Sequence, residues 1–569
     1  MDLLIKGGYV YDPLNGVNGE VMDICVRDGK IIEKVNERKA YVIDASGMIV
    51  MPGGIDIHTH IAGAEVNSGR LLRPEDHARD VEPRTPITRS GVGYSIPSTF
   101  TTGYRYARMG YTFLCNPSMP PLEARHTHEE LDDTPIVDKV TYPLLGDWWF
   151  VLEHLRDKKI KECAEHVAWM LIATKGYAIK IVNPGGLETW GFGRNVKGLD
   201  DPVPYFNVTP REIIRGLCIV NKILNLPHTI HVHTNRLGQP GNYATTIETM
   251  DCVKDLAADG KPAIHITHCQ FSAFRGDNWA TMRSGAEEIA KYVNAHSHVT
   301  LDMGQVVFTD TTTMTADGPW QYTLYELSGN KWVNHDVETE TSSGIVPFRY
   351  RRKSYVHATM WSIGLELALL IEDPWKIYLT TDHPNGGPFT EYPRIISWLM
   401  SRKAREETLK RINKKARARS ILPSIDREYT FYEIAIVTRA GQAKVLGFES
   451  ISKGHLGVGA DADIAIYEVD PRKVDPSNDY KAVQRAFSRA AYTIKGGEIV
   501  VKGGEIVRAP DGKTYWINFE SSSQIDPLSS VSASLKKKFR EYWTVELENY
   551  FIPERYLKHS VPISIKAGV

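Results

Sequence analysis

Met51-Pro-Gly-Gly-Ile-Asp-Ile-His-Thr-His60 is the most informative stretch of this sequence. The run before it, residues 40–50, is rich in strand-forming residues, and the proline and two glycines that follow interrupt it. Beyond that break, apolar and polar residues alternate, which in a strand places His58 and His60 on one face, about 6–7 Å apart. Two imidazoles at that spacing can bind one metal ion. An isolated His-x-His pair is more often structural, so the prediction depends on residues further along the chain.

The composition describes a long globular chain. A barrel of about 250 residues plus a smaller domain accounts for much of its 569 residues. The net charge of −1 gives no reason to expect nucleic acid or a membrane surface as a partner. The sequence has neither a signal peptide pattern nor an apolar run of membrane-spanning length. Its six cysteines have no paired spacing, so we predict a reduced, cytoplasmic protein without a redox cofactor of its own.

The two ends of the chain share a pattern of short β-strands. Asp28-Gly29 between alternating residues is a strong hairpin signal, and residues 495–507 repeat the same pattern of strands and glycines. We therefore predict that residues 1–50 and 451–520 together form one small β-sandwich domain, and that a larger domain is inserted between them.

The larger domain, residues 51–450, alternates strand-like and helix-like segments, which is typical of βα units. We predict the α/β class, with a (β/α)₈ TIM-like barrel. Such barrels place their chemistry at the carboxyl ends of the strands. Six residues fall at or near such ends, and we call them the strand-end set: His58, His60, Lys180, His233, His268 and Asp382.

Several segments do not fit barrel units. Residues 63–97 are polar and irregular, residues 307–352 are rich in threonine and aromatic residues, and both are expected to be insertions that help to form the site. Residues 401–420 are strongly basic and predict a solvated surface helix or hairpin, with contact to an acidic partner or substrate as the alternative. Residues 521–569, with a helix candidate at 533–550, are expected to lie outside both domains and to dock on another subunit.

The chemistry of the strand-end set points to metal ions. Neutral imidazoles and a carboxylate suit zinc and similar divalent ions. Lys180 is the exception, because an ammonium group donates hydrogen bonds and cannot bind a cation. Burial beside metal ions disfavours its charge, and a neutral amine can react with CO₂ to give a carbamate that bridges two ions. Two ions about 3.5–4 Å apart activate a shared water and polarise a carbonyl oxygen.

The order of these motifs resembles that of the amidohydrolase superfamily, close to dihydroorotase and hydantoinase. The resemblance implies that His58, His60 and Asp382 bind one divalent ion, zinc being the expected metal, and that the remaining histidines of the set bind a second. It also implies that carboxylated Lys180 bridges the two ions and that Asp382 is the catalytic proton shuttle.

Neighbouring histidines leave part of this assignment open. By strand parity His231 shares a face with His233, whereas His265 faces away from His268. We favour His233 because His-Thr-Asn stands where the superfamily has His-Ala-Glu. That departure, Asn235 for glutamate, leaves the substrate contacts there open. Four other histidines are expected on surface loops or helices: His126, His128, His296 and His298.

A narrower resemblance covers nearly the whole chain. Residues 53–63, 178–186, 231–242 and 305–322 resemble the A subunits of formylmethanofuran dehydrogenases of methanogenic archaea. The resemblance implies a complex in which tungsten- or molybdenum-pterin and iron–sulfur subunits reduce CO₂ to formate. This chain would condense formate with the amine of methanofuran. Four arginines are expected to bind the carboxylates of methanofuran: Arg70, Arg73, Arg194 and Arg236.

Three alternatives remain at this point. A stand-alone cyclic-amide hydrolase, acting on a dihydropyrimidine or hydantoin, has the same ligands and differs only in loops and tail. A component of a bacterial formyltransferase/hydrolase complex, which works in the deformylation direction, is barely distinguishable. A barrel kept only as a scaffold would have no reason to retain Lys180 and Asp382, and its metal content would identify it.

Overall fold

The computed structural model describes residues 2–257, 260–335, 343–520, 530–542 and 545–567. The strands are β1 (Leu3–Asp12), β2 (Val17–Arg27), β3 (Lys30–Ile32), β4 (Tyr41–Asp44), β5 (Ile49–Pro52), β6 (Gly54–Asp56), β7 (Tyr111–Met119), β8 (Asp138–Pro143), β9 (Lys180–Val182), β10 (Ile230–His233), β11 (Ile264–Ile266), β12 (Phe274–Arg275), β13 (Arg283–Ser284), β14 (Val299–Asp302), β15 (Asp310–Thr315), β16 (Val333–His335), β17 (Ser343–Arg349), β18 (Ile377–Tyr378), β19 (Ile464–Tyr467), β20 (Tyr492–Lys495), β21 (Glu498–Lys502), β22 (Glu505–Ile506), β23 (Thr514–Phe519) and β24 (Ser560–Ile565).

The helices separate most of the strands of the central region. They are α1 (Ala64–Leu72), α2 (Thr99–Arg108), α3 (Ala124–Asp133), α4 (Trp149–Arg156), α5 (Ile160–Ala173), α6 (Gly186–Trp190), α7 (Pro210–Leu224), α8 (Asn242–Asp251), α9 (Ala286–Ala295), α10 (Gly318–Ser328), α11 (Tyr355–Leu370), α12 (Tyr392–Met400), α13 (Arg402–Leu409), α14 (Lys414–Arg419), α15 (Phe431–Ala435), α16 (Gly441–Leu446), α17 (Tyr480–Ser488) and α18 (Ser530–Tyr542).

Two five-stranded sheets, parallel throughout, form the centre of the molecule. One has the order β6-β7-β8-β23-β24 and the other β9-β10-β11-β14-β18. Parallel bridges join the two sheets at both sides, Leu144 with Lys180 and Thr59 with His383. The strands from β6 to β18 therefore follow one another in a ring of eight, which is consistent with the predicted barrel. The chain is mixed α/β with parallel sheets, as predicted.

Helix α7 illustrates how the sequence specifies a barrel helix. Thr209 caps its start by accepting a hydrogen bond from the backbone N–H of Glu212, and the Glu212 carboxylate accepts from Thr209 in return. Asn225 ends the helix in the left-handed conformation. The apolar residues of one face, spaced at helical intervals, are buried: Ile213, Leu217, Val220 and Leu224.

Strands from both chain ends share one nine-stranded sheet, in the order β22-β21-β20-β19-β5-β1-β2-β3 with β4 beside β1. The two ends meet where β19 pairs antiparallel with β5. The predicted hairpin joins β2 to β3, and Asp28 and Gly29 both have positive φ, as the favoured two-residue turn requires. This sheet lies beside the entry to β6 and so fixes where the first barrel strand begins.

The two predicted insertions pack on each other above the barrel. Residues 63–97 are not irregular throughout, because α1 forms there although it lacks a side-chain cap at its start. Its Val66 is buried in a cluster with Met314 and Ile345 of the second insertion, so tertiary packing stabilises the helix. The second insertion forms the sheet β15-β17-β16 and helix α10, and residues 336–342 of it lie outside the described residues. We call the two insertions together the cap.

The described part of the tail belongs to the central sheet, which contradicts the prediction that it lies outside both domains. Strand β24 pairs in parallel with β23, and β23 pairs with β8. Helix α18 ends at Tyr542, earlier than predicted, and residues 521–529, 543–544 and 568–569 lie outside the described residues. Apolar side chains of the tail join the main core: Val531, Leu535, Phe539, Leu547 and Tyr550. Their burial explains why the tail is not a separate unit.

The basic segment, residues 401–420, forms the short helices α13 and α14. The Arg402 side chain is 43% exposed and pairs with Glu406 and Asp426, in agreement with a surface helix. Arg405 differs, because it is buried and donates to the carbonyl oxygens of Trp398 and Ile425. None of the described helices combines the length and apolarity that a membrane crossing requires.

The packing of the tail predicts a stability effect. Phe539 is 3% exposed, and its ring centroid lies 5.5 Å from that of Phe150 and 5.7 Å from that of Tyr550. Phe539→Ala should therefore cost about 3–5 kcal/mol of stability and lower the midpoint of thermal unfolding of the purified chain. The exposed Lys537→Ala on the same helix should leave the midpoint unchanged. Equal midpoints for the two variants would contradict integral packing of the tail.

Candidate metal centre

The strand-end set converges on one cavity at the carboxyl end of the parallel strands. His58 and His60 follow β6, Lys180 begins β9, His233 ends β10, His268 follows β11 and Asp382 follows β18. All six side chains are buried, and all six line the same cavity of about 690 Å³. Residues far apart in the sequence are thus brought together as predicted.

The ligand atoms of this set face one another at short range. His58 Nε2 lies 3.0 Å and His60 Nε2 lies 3.2 Å from the same oxygen, Asp382 Oδ1. The ring centroid of His268 lies 5.2 Å from that of His58 and 4.7 Å from that of His233. Donor atoms of His58, His268 and Asp382 all lie within 4.8 Å of one another. Imidazole nitrogens and carboxylate oxygens grouped in this way suit a divalent transition metal ion.

Lys180 has the environment expected of a neutral amine. Its side chain is 2% exposed, and Nζ has no hydrogen-bond partner among the described residues. Burial lowers the pKa of Lys180 to about 7, although Asp382 and Asp302 oppose that shift. Burying an amine without a hydrogen-bond partner costs free energy. Lys180 Nζ therefore fits a site in which a further group binds it.

Backbone strain marks the same strand ends. Asn183, His268 and Asp382 have φ values of 39°, 38° and 52°, in the left-handed region that residues other than glycine avoid. His268 is held there by a hydrogen bond of 2.7 Å from its backbone N–H to Asp302 Oδ1. Gly304 packs against it so closely that a Cβ atom would lie 2.4 Å from His268 Cβ. The fold therefore specifies where the His268 ring points.

A second polar layer lies beneath the strand-end set and contains His231 and His265. His231 also belongs, with His58 and Asp302, to a second group of buried side chains that could hold a metal ion. His231 Nε2 lies 2.8 Å from His58 Nδ1, below the cavity lining. His265 bonds Asp302 Oδ2 at 3.1 Å and Thr300 Oγ1 at 3.0 Å. Burial lowers the pKa of His265 to about 3 and raises that of Asp302 to about 8. A layer of this kind orients the groups above it.

Three buried carboxyl groups of the site were missed in the sequence. Asp302 ends β14, where a barrel strand ending in a carboxylate is itself a signal. Asp56 accepts from the hydroxyls of Tyr106 and Tyr392 beneath β6, and burial raises its pKa to about 7. Asp317 comes from the cap, and its Oδ2 lies 3.1 Å from His233 Nε2. No strand pattern predicts Asp317, because it caps helix α10 of an insertion.

The cap builds the upper wall of the cavity from apolar side chains and cations. The apolar part includes Trp320, Leu324, Phe348 and Tyr350, and the cations are Arg73, Arg349 and Arg351. Of the four predicted arginines only Arg73 lines the cavity. Arg70 instead donates to Glu130, Arg194 pairs with Asp201, and Arg236 donates to the carbonyl oxygen of Pro240. Each of these three has a closer partner within its own surroundings.

Two of the four histidines expected at the surface are buried. His128 donates to the carbonyl oxygen of Thr174, and His298 donates to that of Met250. His126 is exposed and His296 is half-buried, in agreement with the prediction. His128 lies on α3 and His298 in the bend before β14, and in each a carbonyl oxygen satisfies one ring nitrogen.

Comparison with known proteins gives a consistent result. Residues 41–501 match the amidohydrolase family. The chain is 54% identical to Protein FwdA of Methanocaldococcus jannaschii, over 100% of this chain and 99% of that protein. It is 37% identical to one subunit of the formyltransferase/hydrolase complex Fhc of Methylorubrum extorquens, over 92% of each chain.

A solved structure extends the comparison to three dimensions. The crystal structure of the formyltransferase/hydrolase complex FhcABCD from Methylorubrum extorquens, in complex with methylofuran, contains a similar chain. The match has a TM-score of 0.89 at 34% identity and covers 99% of this chain and 100% of that chain. Barrel, cap and tail therefore all have counterparts in that fold.

The close contact at Gly304 predicts how the site can be disturbed without touching a ligand. Gly304→Ala places a methyl group against His268 and should reduce the metal content of the purified chain, measured by elemental analysis. Gly503→Ala is a matched control, because Gly503 also has a positive φ, 58° against 61° at Gly304, and nothing lies within 4 Å of the added carbon. A Gly304→Ala protein with undiminished metal content would contradict the claim that this contact positions His268.

Proposed function

We propose that this chain, which belongs to the amidohydrolase family, is the A-type subunit of a formylmethanofuran dehydrogenase complex. It interconverts formate and the amine of methanofuran with N-formylmethanofuran. One C–N bond forms and one C–O bond breaks: R–NH₃⁺ + HCOO⁻ gives R–NH–CHO + H₂O. The observation that carries the proposal is the buried strand-end set beneath a cavity of about 690 Å³, in a chain similar over its full length to FwdA.

The donor set fits two divalent ions. We assign His58, His60 and Asp382 to one ion and His233 and His268 to the other, with zinc as the expected metal. Two observations support the fit: nitrogens of His58 and His60 face the Asp382 oxygen, and Lys180 Nζ is buried and unpartnered among the described residues. When bound, such a pair of ions polarises a carbonyl oxygen and lowers the pKa of water.

Lys180 is proposed to act as a carbamate. Because burial lowers its pKa to about 7, a large fraction of the amine is neutral near neutral pH. The neutral nitrogen attacks the carbon of CO₂, a C–N bond forms while one C=O π bond opens, and one proton is released. The product retains the nitrogen and adds two oxygens, and each oxygen would be available to one of the two ions.

Asp382 is proposed to carry the proton. Asn385 Nδ2 donates to Asp382 Oδ1 at 3.0 Å, and both residues line the cavity. In the synthetic direction the ammonium group first gives one proton to solvent, and the neutral amine attacks the formate carbon. The carboxylate takes a second proton from nitrogen as the C–N bond forms and returns it to the leaving oxygen, and a proton from solvent completes the water. Deformylation reverses these transfers.

The cap is proposed to bind the rest of methanofuran. A carboxylate of methanofuran would meet Arg351 at the cavity wall, since Arg73 and Arg349 already pair with Asp310 there. The apolar portion of methanofuran would meet Trp320 and Phe348. The reduction of CO₂ to formate is assigned to other subunits, which would hold tungsten- or molybdenum-pterin and iron–sulfur centres. We place the complex in the cytoplasm.

An assay separates this function from its rivals. The purified chain, or the complex that contains it, should release formate from N-formylmethanofuran and should not open dihydroorotate or hydantoin rings. Asp382→Asn should abolish formate release and serves as the negative control. Ring opening without deformylation would establish a stand-alone cyclic-amide hydrolase instead, and a protein without bound metal would establish a scaffold.

Lys180→Ala tests the bridge. The variant should lose metal and deformylation together, because the only proposed ligand common to both ions is gone, and a short carboxylic acid in excess should restore part of both. Lys139→Ala is the matched control, since Lys139 is also buried but donates to the carbonyl oxygen of Thr134. Full metal content in Lys180→Ala, by elemental analysis, would show that the bridge is assigned to the wrong residue.

Arg351→Ala tests the cap as the substrate clamp. Arg351 lines the cavity and is exposed, so loss of its charge should raise the KM for N-formylmethanofuran roughly three- to fivefold and leave kcat nearly unchanged. Arg194→Ala, in a loop where the arginine already pairs with Asp201, should change neither constant. A fall in kcat at constant KM would instead place Arg351 in the chemical step.

A further inference from the structure

Three buried histidines form a hydrogen-bonded row that ends at the proposed metal centre. We call His228, His231 and His58 the histidine row. His228 Nδ1 lies 2.9 Å from the carbonyl oxygen of Val445, and His228 Nε2 lies 3.1 Å from His231 Nδ1. His231 Nε2 in turn lies 2.8 Å from His58 Nδ1. His228 and His231 do not line the cavity, so they have no direct part in binding substrate.

The carbonyl oxygen of Val445 sets the direction of the hydrogen bonds along the row. A backbone carbonyl oxygen only accepts, so His228 Nδ1 must carry the hydrogen and His228 Nε2 must be the acceptor. His231 Nδ1 therefore donates to His228, which leaves His231 Nε2 as an acceptor. His58 Nδ1 then donates to His231, and His58 Nε2 is left without a hydrogen. That bare nitrogen lies 3.0 Å from Asp382 Oδ1.

Either direction leaves one pair of acceptor atoms facing each other. In the first direction that pair is His58 Nε2 and Asp382 Oδ1, which line the cavity where the proposed cation would separate them. The opposite direction moves the pair to the far end of the row, which does not line the cavity. If His58 Nε2 carried the hydrogen and donated to Asp382, each ring would have to turn its hydrogen the other way. His228 Nδ1 would then present a lone pair to the lone pairs of the Val445 oxygen at 2.9 Å. All three rings are 1% exposed or less, so bulk water cannot donate a hydrogen bond to either acceptor.

Ring geometry supports the bond next to the metal centre. The planes of His58 and His231 differ by 25°, and their centroids are 5.1 Å apart. Since the bonded nitrogens are only 2.8 Å apart, the two rings meet edge to edge and nearly in one plane, as an N–H···N hydrogen bond requires.

Thr267 is compatible with the same direction. Its hydroxyl lies 2.5 Å from His58 Nδ1. A hydroxyl oxygen can accept a hydrogen bond, so this contact fits a hydrogen on His58 Nδ1.

We propose that His228 and His231 are positioning residues that fix the tautomer of His58, so that its Nε2 lone pair is always presented to the metal. The Val445 carbonyl sets the direction, and the two intervening rings transmit it across the barrel interior. The inference rests on the metal centre proposed above. It goes beyond the ligand set, because it assigns a role to two buried histidines that bind neither metal nor substrate.

Matched variants of His231 test the row through metal retention. His231→Leu removes the acceptor for His58, so zinc should pass from the loaded full-length chain to a chelator at least about tenfold faster than from the wild type. His231→Gln retains one donor and one acceptor and should stay closer to the wild-type rate. His228→Leu removes the acceptor for His231 Nδ1, and its rate of zinc release should lie between those of the two His231 variants.

A buried histidine elsewhere is the control for general damage to the fold. His128 is equally buried and donates to a carbonyl oxygen, but it lies on α3 and does not line the cavity. His128→Leu should release zinc at the wild-type rate. A His231→Leu protein that retains zinc as well as wild type overturns the proposal, as does release from His128→Leu as fast as from His231→Leu.

The tautomer of His58 can also be measured directly in the wild-type protein, so this test does not depend on whether the variants of His228 or His231 fold. In metal-free wild-type protein labelled with ¹⁵N-histidine, the NMR signals of His58, assigned by their loss in His58→Gln, should show hydrogen on Nδ1 and none on Nε2. Hydrogen on Nε2 overturns the proposal. Because this experiment uses no metal, its failure is distinguishable from failure of the metal centre, which would appear as wild-type protein that binds no zinc.

Discussion

Imidazole nitrogens and a carboxylate oxygen that face one another within the ring of strands are the constraint on which the rest of this structure depends. His58 Nε2 and His60 Nε2 lie 3.0 and 3.2 Å from one carboxylate oxygen in a place where the side chains are at most 6% exposed. Each buried polar atom without a partner costs about 1–3 kcal/mol, so such a cluster needs strands that hold it in place and suits a cation that would bind it. The strained backbone of His268 and Asp382 has the same explanation, because the surrounding strands impose it.

Much of the site was visible in the sequence because barrel strands obey simple rules. Alternation placed His58 and His60 on one face, and the carboxyl ends of parallel strands meet at one edge, so the strand-end set had to converge. Parity also indicated that His265 points away from His268, and the structure shows His265 bonded to Asp302 beneath the site. These inferences needed only the period of a strand and the order of the motifs.

The remainder depended on tertiary packing, which no local pattern encodes. Helix α1 forms without a side-chain cap because Val66 is buried against the second insertion. Asp317 reaches His233 because α10 folds down over the barrel mouth. The prediction that Arg70 and Arg194 bind substrate was wrong for the same reason, because they pair with carboxylates outside the cavity, Glu130 and Asp201. The cap, to which we assign substrate selectivity, is accordingly the part that the sequence predicts least well.

The pairing of β8 with β23, and of β5 with β19, has a consequence for biosynthesis. Residues near position 140 acquire their neighbour only after the ribosome has added some of the last residues of the chain. Contacts between residues so far apart in sequence form slowly. The edges of β5 and β8 therefore keep unpaired backbone groups while translation proceeds. A product that stops short would lack both late strands and keep those edges open. Both sheet edges are covered only after β19 and β23 have been synthesised. Prematurely terminated copies therefore expose unpaired strand edges, which quality control can recognise.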